Sequence, residues 1–282
     1  MDMNCMVRAG ILQLRNAGFA GLLVLSLAAC QTAMAPIPAS VDPGTGSEAN
    51  LESLSAVIAR DPNDPEAYNV RGSAYGRIGN YREAIADFNR AIELDPNFSR
   101  AYANRALVQR RNGKANEALA DYSRAIQADS GYAAAYVGRG NIYRQQGRLD
   151  LALADYNAAI QLDPTDAQAF HNRGLIYQSQ SQHQIAIEDF TRSIGLSPRS
   201  AEPYDGRGLS YLAMGDVKAA LDDFNEAVKR DANSYQAWTN QALALEQIGE
   251  RQRAHAAFAR AASLNPSYQP AVDGAARTAA GA

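Results

Sequence analysis

The chain has 282 residues, enough for about two average domains, and its composition excludes several classes of protein. Charged residues make up 20% and apolar residues 46% of the sequence, which argues against a disordered chain and against a protein with many membrane spans. Lysine and arginine total 27 against 30 acidic residues, a net charge of −3. We therefore expect no nucleic-acid partner that is bound through phosphate neutralisation.

The sequence offers few residues for a catalytic or metal centre. Both cysteines lie near the N-terminus, at Cys5 and Cys30, and the three histidines, His171, His183 and His255, are scattered. The body of the protein therefore has neither a disulfide framework nor a cysteine cluster, and its histidines are too dispersed for an ordinary zinc site. Glycine-rich phosphate loops and nucleophile-elbow motifs are also missing from the sequence. We predict a protein that is not an enzyme and that has no cofactor.

The N-terminal segment has the features of an export signal. Arg8 and Arg15 precede the uncharged stretch 18–29, which is too short to span a bilayer and suits the apolar part of a secretory signal. A buried core helix and an uncleaved anchor are the alternatives. The sequence LAAC that ends at Cys30 resembles a bacterial lipobox. This resemblance implies that residues 1–29 form a lipoprotein signal peptide and that Cys30 becomes acylated.

The segment after the signal is predicted to be a tether. Residues 30–46 contain three prolines among small polar residues and show no apolar periodicity, so we expect a flexible linker. Gln31 follows the cysteine, in place of the aspartate that retains such lipoproteins at the inner membrane of enteric bacteria. The lipobox resemblance therefore implies a protein of the bacterial cell envelope, lipid-anchored in the outer membrane and facing the periplasm.

The rest of the chain is dominated by an internal repeat of 34 residues, present six times without an insertion. Positions 4 and 24 of every repeat are aromatic, and positions 8, 20 and 27 are small. Small side chains allow two antiparallel helices to pack closely, while aromatic side chains fill the space between successive helix pairs. The predicted repeats are residues 65–98, 99–132, 133–166, 167–200, 201–234 and 235–268.

This pattern resembles the tetratricopeptide repeat (TPR), and the resemblance implies an all-α, right-handed α-solenoid of six helical hairpins. Pentatricopeptide repeats, which bind RNA, are the confusable alternative, but their 35-residue period and this acidic chain argue against them. Because a terminal repeat exposes an apolar face, we predict a half-repeat capping helix in residues 47–64 and a short capping helix in residues 269–282. Gly274 disfavours the second cap. Ser181 replaces the glycine of the fourth inter-helix turn, which is either a tolerated turn or a softer joint.

Two charged columns within the repeats favour internal ion pairs. Position 7, where the TPR usually has a leucine-like residue, is arginine in five repeats, and position 23 is aspartate in the same five. The sixth repeat has Gln241 and Ala257 at these positions. A row of arginines could bind phosphate, but the joint presence and joint absence of the two charges favour a bidentate pair within each repeat. The predicted pairs are Arg71–Asp87, Arg105–Asp121, Arg139–Asp155, Arg173–Asp189 and Arg207–Asp223.

The TPR resemblance implies that the first helix of each hairpin lines a concave surface, on which positions 2, 5, 9, 12 and 13 share one face. This face is predicted to be basic in the first three repeats and acidic and apolar in the last two. We expect it to bind a segment of an envelope protein, with the partner's acidic part beside Arg110 and Arg111. A solvated face whose charges only confer solubility is the alternative. The candidate binding residues are Arg77, Arg100, Arg110, Arg111, Arg144, His171, Glu202 and Asp205, together with Asn104, Asn172 and Asn240 at position 6.

The signal and the repeats together resemble the NlpI-like TPR lipoproteins, which act as adaptors that bring peptidoglycan hydrolases to a protease. The resemblance implies a non-catalytic scaffold for one or more envelope proteins. A pilotin-like lipoprotein that helps to assemble a type IV pilus or secretion complex is the alternative. An intracellular signalling adaptor would require a different interpretation of the N-terminus, and a homodimer is left open.

Overall fold

The computed structural model describes residues 48–279, and these residues form fourteen α-helices and no strand. The predicted all-α class is confirmed. In chain order the helices are α1 Glu48–Arg60, α2 Pro65–Arg77, α3 Tyr81–Leu94, α4 Ser99–Arg111, α5 Ala115–Ala128, α6 Ala133–Gln145, α7 Leu149–Leu162, α8 Ala167–Ser179, α9 His183–Leu196, α10 Glu202–Ala213, α11 Val217–Arg230, α12 Tyr235–Gln247, α13 Arg251–Leu264 and α14 Gln269–Ala279.

Helices α2 to α13 form six antiparallel hairpins, which stack as the α-solenoid that the TPR pattern predicts. The first helix of each hairpin contacts its own second helix, and that second helix contacts the first helix of the next hairpin. First helices also contact each other across neighbouring hairpins, whereas no two second helices in residues 48–279 do so. The stack is therefore tighter along the first helices, which places them on its inner, concave side.

The repeated small and aromatic residues form the core. The alanines at position 20 are fully buried in all six repeats, and so are the position-24 rings of Phe88, Phe190, Phe224 and Phe258. Position 8 must be small because a Cβ atom added to Gly72 would lie 3.0 Å from the Phe88 ring. The two helices of a hairpin can therefore come into close contact only with small residues at such positions, which is the pattern from which the fold was predicted.

The turn between the two helices of a hairpin requires a left-handed backbone. Five hairpins place a glycine there, with φ between 72° and 85°. In the fourth hairpin Ser181 adopts the same conformation, with φ of 60°. Its amide donates to Gln178 O at 2.9 Å, and the next amide, of Gln182, donates to Tyr177 O at 2.8 Å. The fourth turn therefore keeps the usual hydrogen bonds, at the cost of strain that glycine avoids.

The end helices differ from expectation in two details. The sequence places Leu51, Leu54, Val57 and Ile58 of α1 on one apolar face, but only Ile58 among them is buried, and Val57 is 47% exposed. Helix α14 forms in spite of Gly274, so the prediction that this glycine disfavours the cap is wrong. A Cβ atom at Gly274 would lie 2.4 Å from the Phe258 ring. Glycine is therefore the residue that allows α14 to pack against the sixth hairpin.

The predictions for the signal peptide, for the tether and for Cys30 concern residues that lie outside 48–279. Within that range, none of the helices combines the length and the apolar character needed to cross a membrane.

Candidate functional site

The candidate site is the exposed concave face of the first helices, from α2 to α14, which is called the groove below. Some of the charges predicted for it are already paired within the protein. Arg100 Nη2 lies 2.6 Å from Glu66 Oε2 on the preceding first helix. Glu246 accepts two hydrogen bonds, of 2.8 and 2.7 Å, from Arg277 in α14. Neither pair was predicted from the sequence. The first joins first helices of neighbouring hairpins, and the second joins the first helix of the sixth hairpin to α14.

The basic part of the groove is built on two arginine–tyrosine neighbours. Only the second and third repeats combine arginine at position 12, Arg110 and Arg144, with tyrosine at position 24, Tyr122 and Tyr156. Burial raises the pKa of Tyr156 to about 12, while the adjacent Arg144 lowers it. The Nε atoms of both arginines are buried and have no hydrogen-bond partner in residues 48–279. These half-buried guanidinium groups lie beside the tyrosine hydroxyls, a pairing that the repeat pattern could have revealed.

The three predicted asparagines contact neighbouring repeats. Asn104 Nδ2 donates to Asn69 Oδ1 at 2.9 Å, and Asn172 Nδ2 donates to Asn141 Oδ1 at 3.0 Å. Asn240 Nδ2 donates to both carboxylate oxygens of Asp205, at 2.9 and 3.1 Å. Their amide nitrogens thus bind the repeat before, and Asn172 is itself buried, so these residues join neighbouring repeats.

Junctions between successive repeats alternate between two kinds. Position 6 is asparagine in the second, fourth and sixth repeats. It is glycine in the third and fifth repeats, and the equivalent residue of α14 is also glycine. The three glycines pack on the position-24 ring of the repeat before. An added Cβ atom would lie 2.3 Å from that ring at Gly138, 2.8 Å at Gly206 and 2.4 Å at Gly274. Hydrogen-bonded and close-packed junctions therefore follow each other along the groove.

Two adjoining cavities open in the second half of the groove, with volumes of about 380 and 400 Å³. His171 and Glu202 line both cavities, and Asp205 lines the first. Burial lowers the pKa of His171, although Glu202 opposes this effect, and the His171 Nδ1 atom is buried without a hydrogen-bond partner. Burial also raises the pKa of Asp205, opposed by its hydrogen bond from Asn240. Cavities of this size can accommodate a side chain or a short segment of a partner.

The five arginine–aspartate pairs lie within the hairpins and leave no free phosphate-binding row. Each arginine donates two hydrogen bonds of 2.6 to 2.9 Å to its aspartate. Each Nη1 also donates to a polar side chain at position 25 of the unit before, at 2.5 to 3.3 Å. In the sixth repeat Gln241 keeps only this second contact, 2.7 Å from Asn225. The arginines therefore join three helices, an arrangement that the sequence analysis did not predict.

Among residues 48–279, no group of three or more histidine, cysteine, aspartate or glutamate side chains is arranged to hold a metal ion.

Comparison with known families agrees with the geometry. Tetratricopeptide repeat profiles match residues 65–98, 88–120, 167–200 and 206–269, and a profile described as a TPR repeat matches residues 140–181. The chain is a tetratricopeptide repeat protein. The TPR families that match are repeat scaffolds that bind proteins, and no catalytic family matches. Among curated proteins, none matches this TPR chain.

Solved structures share the fold of this TPR protein at low sequence identity. The APC/C hetero-tetramer Cut9–Hcn1 matches with a TM-score of 0.72 and 21% identity over 83% of this chain, which spans 46% of that chain. PilW, described as a type IV pilus biogenesis factor, has a TM-score of 0.66 and 18% identity, covering 74% of this chain and 97% of PilW. YrrB, described as having an unusual peptide-binding site, has a TM-score of 0.55 and 23% identity, covering 66% of this chain and 96% of YrrB.

Proposed function

We propose that this TPR protein is a non-catalytic scaffold of the bacterial envelope, which binds a segment of a client protein in its groove. The observation that carries the proposal is the charge distribution of the groove. Arg110 and Arg144 lie in one half, beside Tyr122 and Tyr156, whereas Glu202 and Asp205 lie beside cavities in the other. A groove with opposite charges at its two halves fixes the direction in which a charged segment binds.

The proposed attachment to the membrane rests on the sequence. The lipobox-like LAAC that ends at Cys30 supports acylation of that cysteine, and Gln31 supports the outer membrane. Seventeen residues of tether, 30–46, would allow the repeats to reach about 20–25 Å from the anchor. The groove would then face the periplasm at the membrane surface. Replacing Cys30 by serine should release the protein into the fraction that is soluble without detergent, and an unchanged membrane fraction would contradict the lipid anchor.

The proposed clients are peptidoglycan hydrolases or proteases of the envelope. This part of the proposal depends on the resemblance to NlpI-like lipoproteins and on the likeness to peptide-binding and complex-forming TPR proteins. A scaffold of this kind requires no reacting group of its own, because it acts by raising the local concentration of its clients.

Site-specific crosslinking in intact cells tests the groove. A photo-reactive amino acid at Leu107, which lies on the concave face, should give adducts with a client, because a bound segment would cross this position. The matched control is the same amino acid at Glu188, an exposed position on a second helix. Reversing Arg110 and Arg111 to glutamate should abolish the adducts from position 107. Equal adducts from positions 107 and 188, or none from position 107, would contradict binding in the groove.

A second candidate function is that of an assembly factor for a pilus or secretion complex. The likeness to PilW supports it, since the shared fold extends over 97% of that protein. The same crosslinking experiment separates the two functions through the identity of the adducts. Wall hydrolases or proteases favour the adaptor, whereas pilus or secretin subunits favour the assembly factor.

A further inference from the structure

The first of the two cavities combines apolar walls with a carboxylate rim. Leu175 and Leu209 supply apolar surface, while Glu202, Asp205 and Asp231 supply the acids. Its volume of about 380 Å³ is within the range of sites that bind ligands. The complete lining is His171, Leu175, Gln178, Ala201, Glu202, Asp205, Gly206, Leu209, Ala227, Asp231, Ser234, Gln236 and Ala237, which includes no lysine and no arginine.

The acids of this cavity lack the cations that pair with acids elsewhere in the groove. Glu66 and Glu246 each lie within an ion pair. Glu202, by contrast, makes no hydrogen bond or ion pair with residues 48–279, and the Asp205 carboxylate accepts only the neutral amide of Asn240. Glu202 is exposed at the rim, whereas Asp205 is partly buried, and partial burial of an acid without a cation is unfavourable. The two carboxylates therefore provide attraction that a cation from outside can use.

The only ionisable base that lines the cavity does not neutralise these acids. Burial favours the uncharged form of His171, whose Nδ1 atom is buried without a hydrogen-bond partner. Arg144, on the preceding first helix, helps to lower the pKa of His171 but is not part of the lining. The lining therefore provides acidic side chains and no lysine or arginine to pair with them.

We infer that this cavity binds the side chain of a lysine or arginine from the segment bound in the groove, an inference that rests on the proposed function. The aliphatic stem would pack against Leu175 and Leu209, and the charged end would lie between Glu202 and Asp205. A long side chain with an apolar stem and a cationic end matches both parts of the lining. Because Arg110 and Arg144 attract acids in the other half, the bound segment carries acidic residues at one end and this base toward the other.

Peptide selection tests the inference directly. A random peptide library displayed on phage is selected on the full chain purified in detergent, and a selected peptide is synthesised with its lysine or arginine and with norleucine in its place. Norleucine keeps an apolar stem and removes the charge. We expect the norleucine peptide to bind the protein about tenfold more weakly. On the variant E202Q/D205N the two peptides should bind with equal affinity.

Two further variants exclude indirect effects. E202Q alone removes a charge that has no partner within residues 48–279, so it should leave the fold unchanged and give a smaller loss in the same direction. The control E188Q/D222N removes the same number of charges from exposed positions on the second helices of the fourth and fifth repeats, and it should preserve the tenfold difference.

The outcomes separate the inference from the proposed function. Selected peptides that lose affinity with R110E/R111E, yet bind equally with lysine and with norleucine, would overturn the cavity assignment and leave groove binding intact. Selected peptides without a recurring lysine or arginine would overturn it as well. If the library yields no peptide that binds the groove, the proposed function fails and the inference fails with it.

Discussion

The fourth repeat permits a direct test of the arginine–aspartate pairs, because the sixth repeat is a natural neutral version of it. Arg173 donates to Asp189 at 2.8 and 2.7 Å and to Asn157 at 2.7 Å. Gln241 makes the equivalent bond to Asn225, opposite a buried alanine. The double change R173Q/D189A therefore gives the fourth repeat the same residues at positions 7 and 23 as the sixth. In both repeats an asparagine of the unit before, Asn157 or Asn225, lies 16 residues before position 7.

The two single changes should cost more than the double change. The Asp189 side chain is only 6% exposed and that of Arg173 20%, so removing either partner leaves a poorly solvated charge, at about 3 kcal/mol. In R173Q/D189A no charge is left, and the glutamine can still donate to Asn157. We expect this variant to lose about 1 kcal/mol. The loss of stability in the double variant should therefore be several kcal/mol smaller than the sum of the two single losses. Substitutions at independent sites would add to within about 0.5 kcal/mol.

Urea unfolding followed by far-UV circular dichroism measures this coupling. Because stacked repeats can unfold in parts, the midpoint and the slope of each transition are compared, together with those of the exposed control E188Q. The order of stability should be native, then R173Q/D189A, then either single variant. A double variant that is no more stable than D189A would refute the reasoning, since the charge left behind would then cost nothing.

Three further predictions concern the backbone and the groove. Replacing Ser181 by glycine should raise the thermal midpoint, by about 1 kcal/mol of stability, because a left-handed residue loses its strain, and serine at Gly147 should lower it similarly. Alanine at Gly274 should destabilise the last helix by about 1–3 kcal/mol through overlap with an aromatic ring, whereas alanine at Gly195, which has open space, should not; hydrogen exchange of that helix and the thermal midpoint check this. Burial raises the pKa of Asp205, so its ionised form destabilises the fold above its ordinary pKa and this penalty disappears as the pH falls. Asparagine at Asp205 should therefore raise the thermal midpoint at pH 7 and not at pH 3, and an equal effect at both values would contradict a burial penalty.

The fold could be predicted from the sequence because six copies of one pattern agree in register. Close packing of the two helices in a hairpin requires small residues at positions 8, 20 and 27. The residue pattern that is visible in the sequence is therefore the one that this packing needs. Helix propensity alone gave the wrong prediction at Gly274, namely that this glycine disfavours the C-terminal capping helix. Glycine in a helix usually costs about 1 kcal/mol of stability relative to alanine. At this position a Cβ atom would lie 2.4 Å from the Phe258 ring, and we expect that overlap to cost more. Register carried the missing signal, since Gly138 and Gly206 occupy the same position in their repeats.

The groove was harder to predict, because its properties depend on contacts between repeats. Residue types gave the charges of Arg100 and Glu246, but not their pairing with Glu66 and Arg277. The first of these pairs joins position 2 of two successive repeats, which is a signal that a column comparison could have found. The cavities beside His171 were not predicted, because their linings combine residues of successive repeats that are distant in sequence.

The alternation of asparagine and glycine at position 6 limits how this protein can change its length. Hydrogen-bonded and close-packed junctions succeed each other from Asn104 to Gly274. An in-frame duplication or loss of a single repeat would bring two like junctions together. Such an event would separate an asparagine from the acceptor that the repeat before now provides, as Asn69 does for Asn104. Adding or removing two repeats at a time keeps the alternation of hydrogen-bonded and close-packed junctions. We therefore expect the groove to change its length by pairs of repeats.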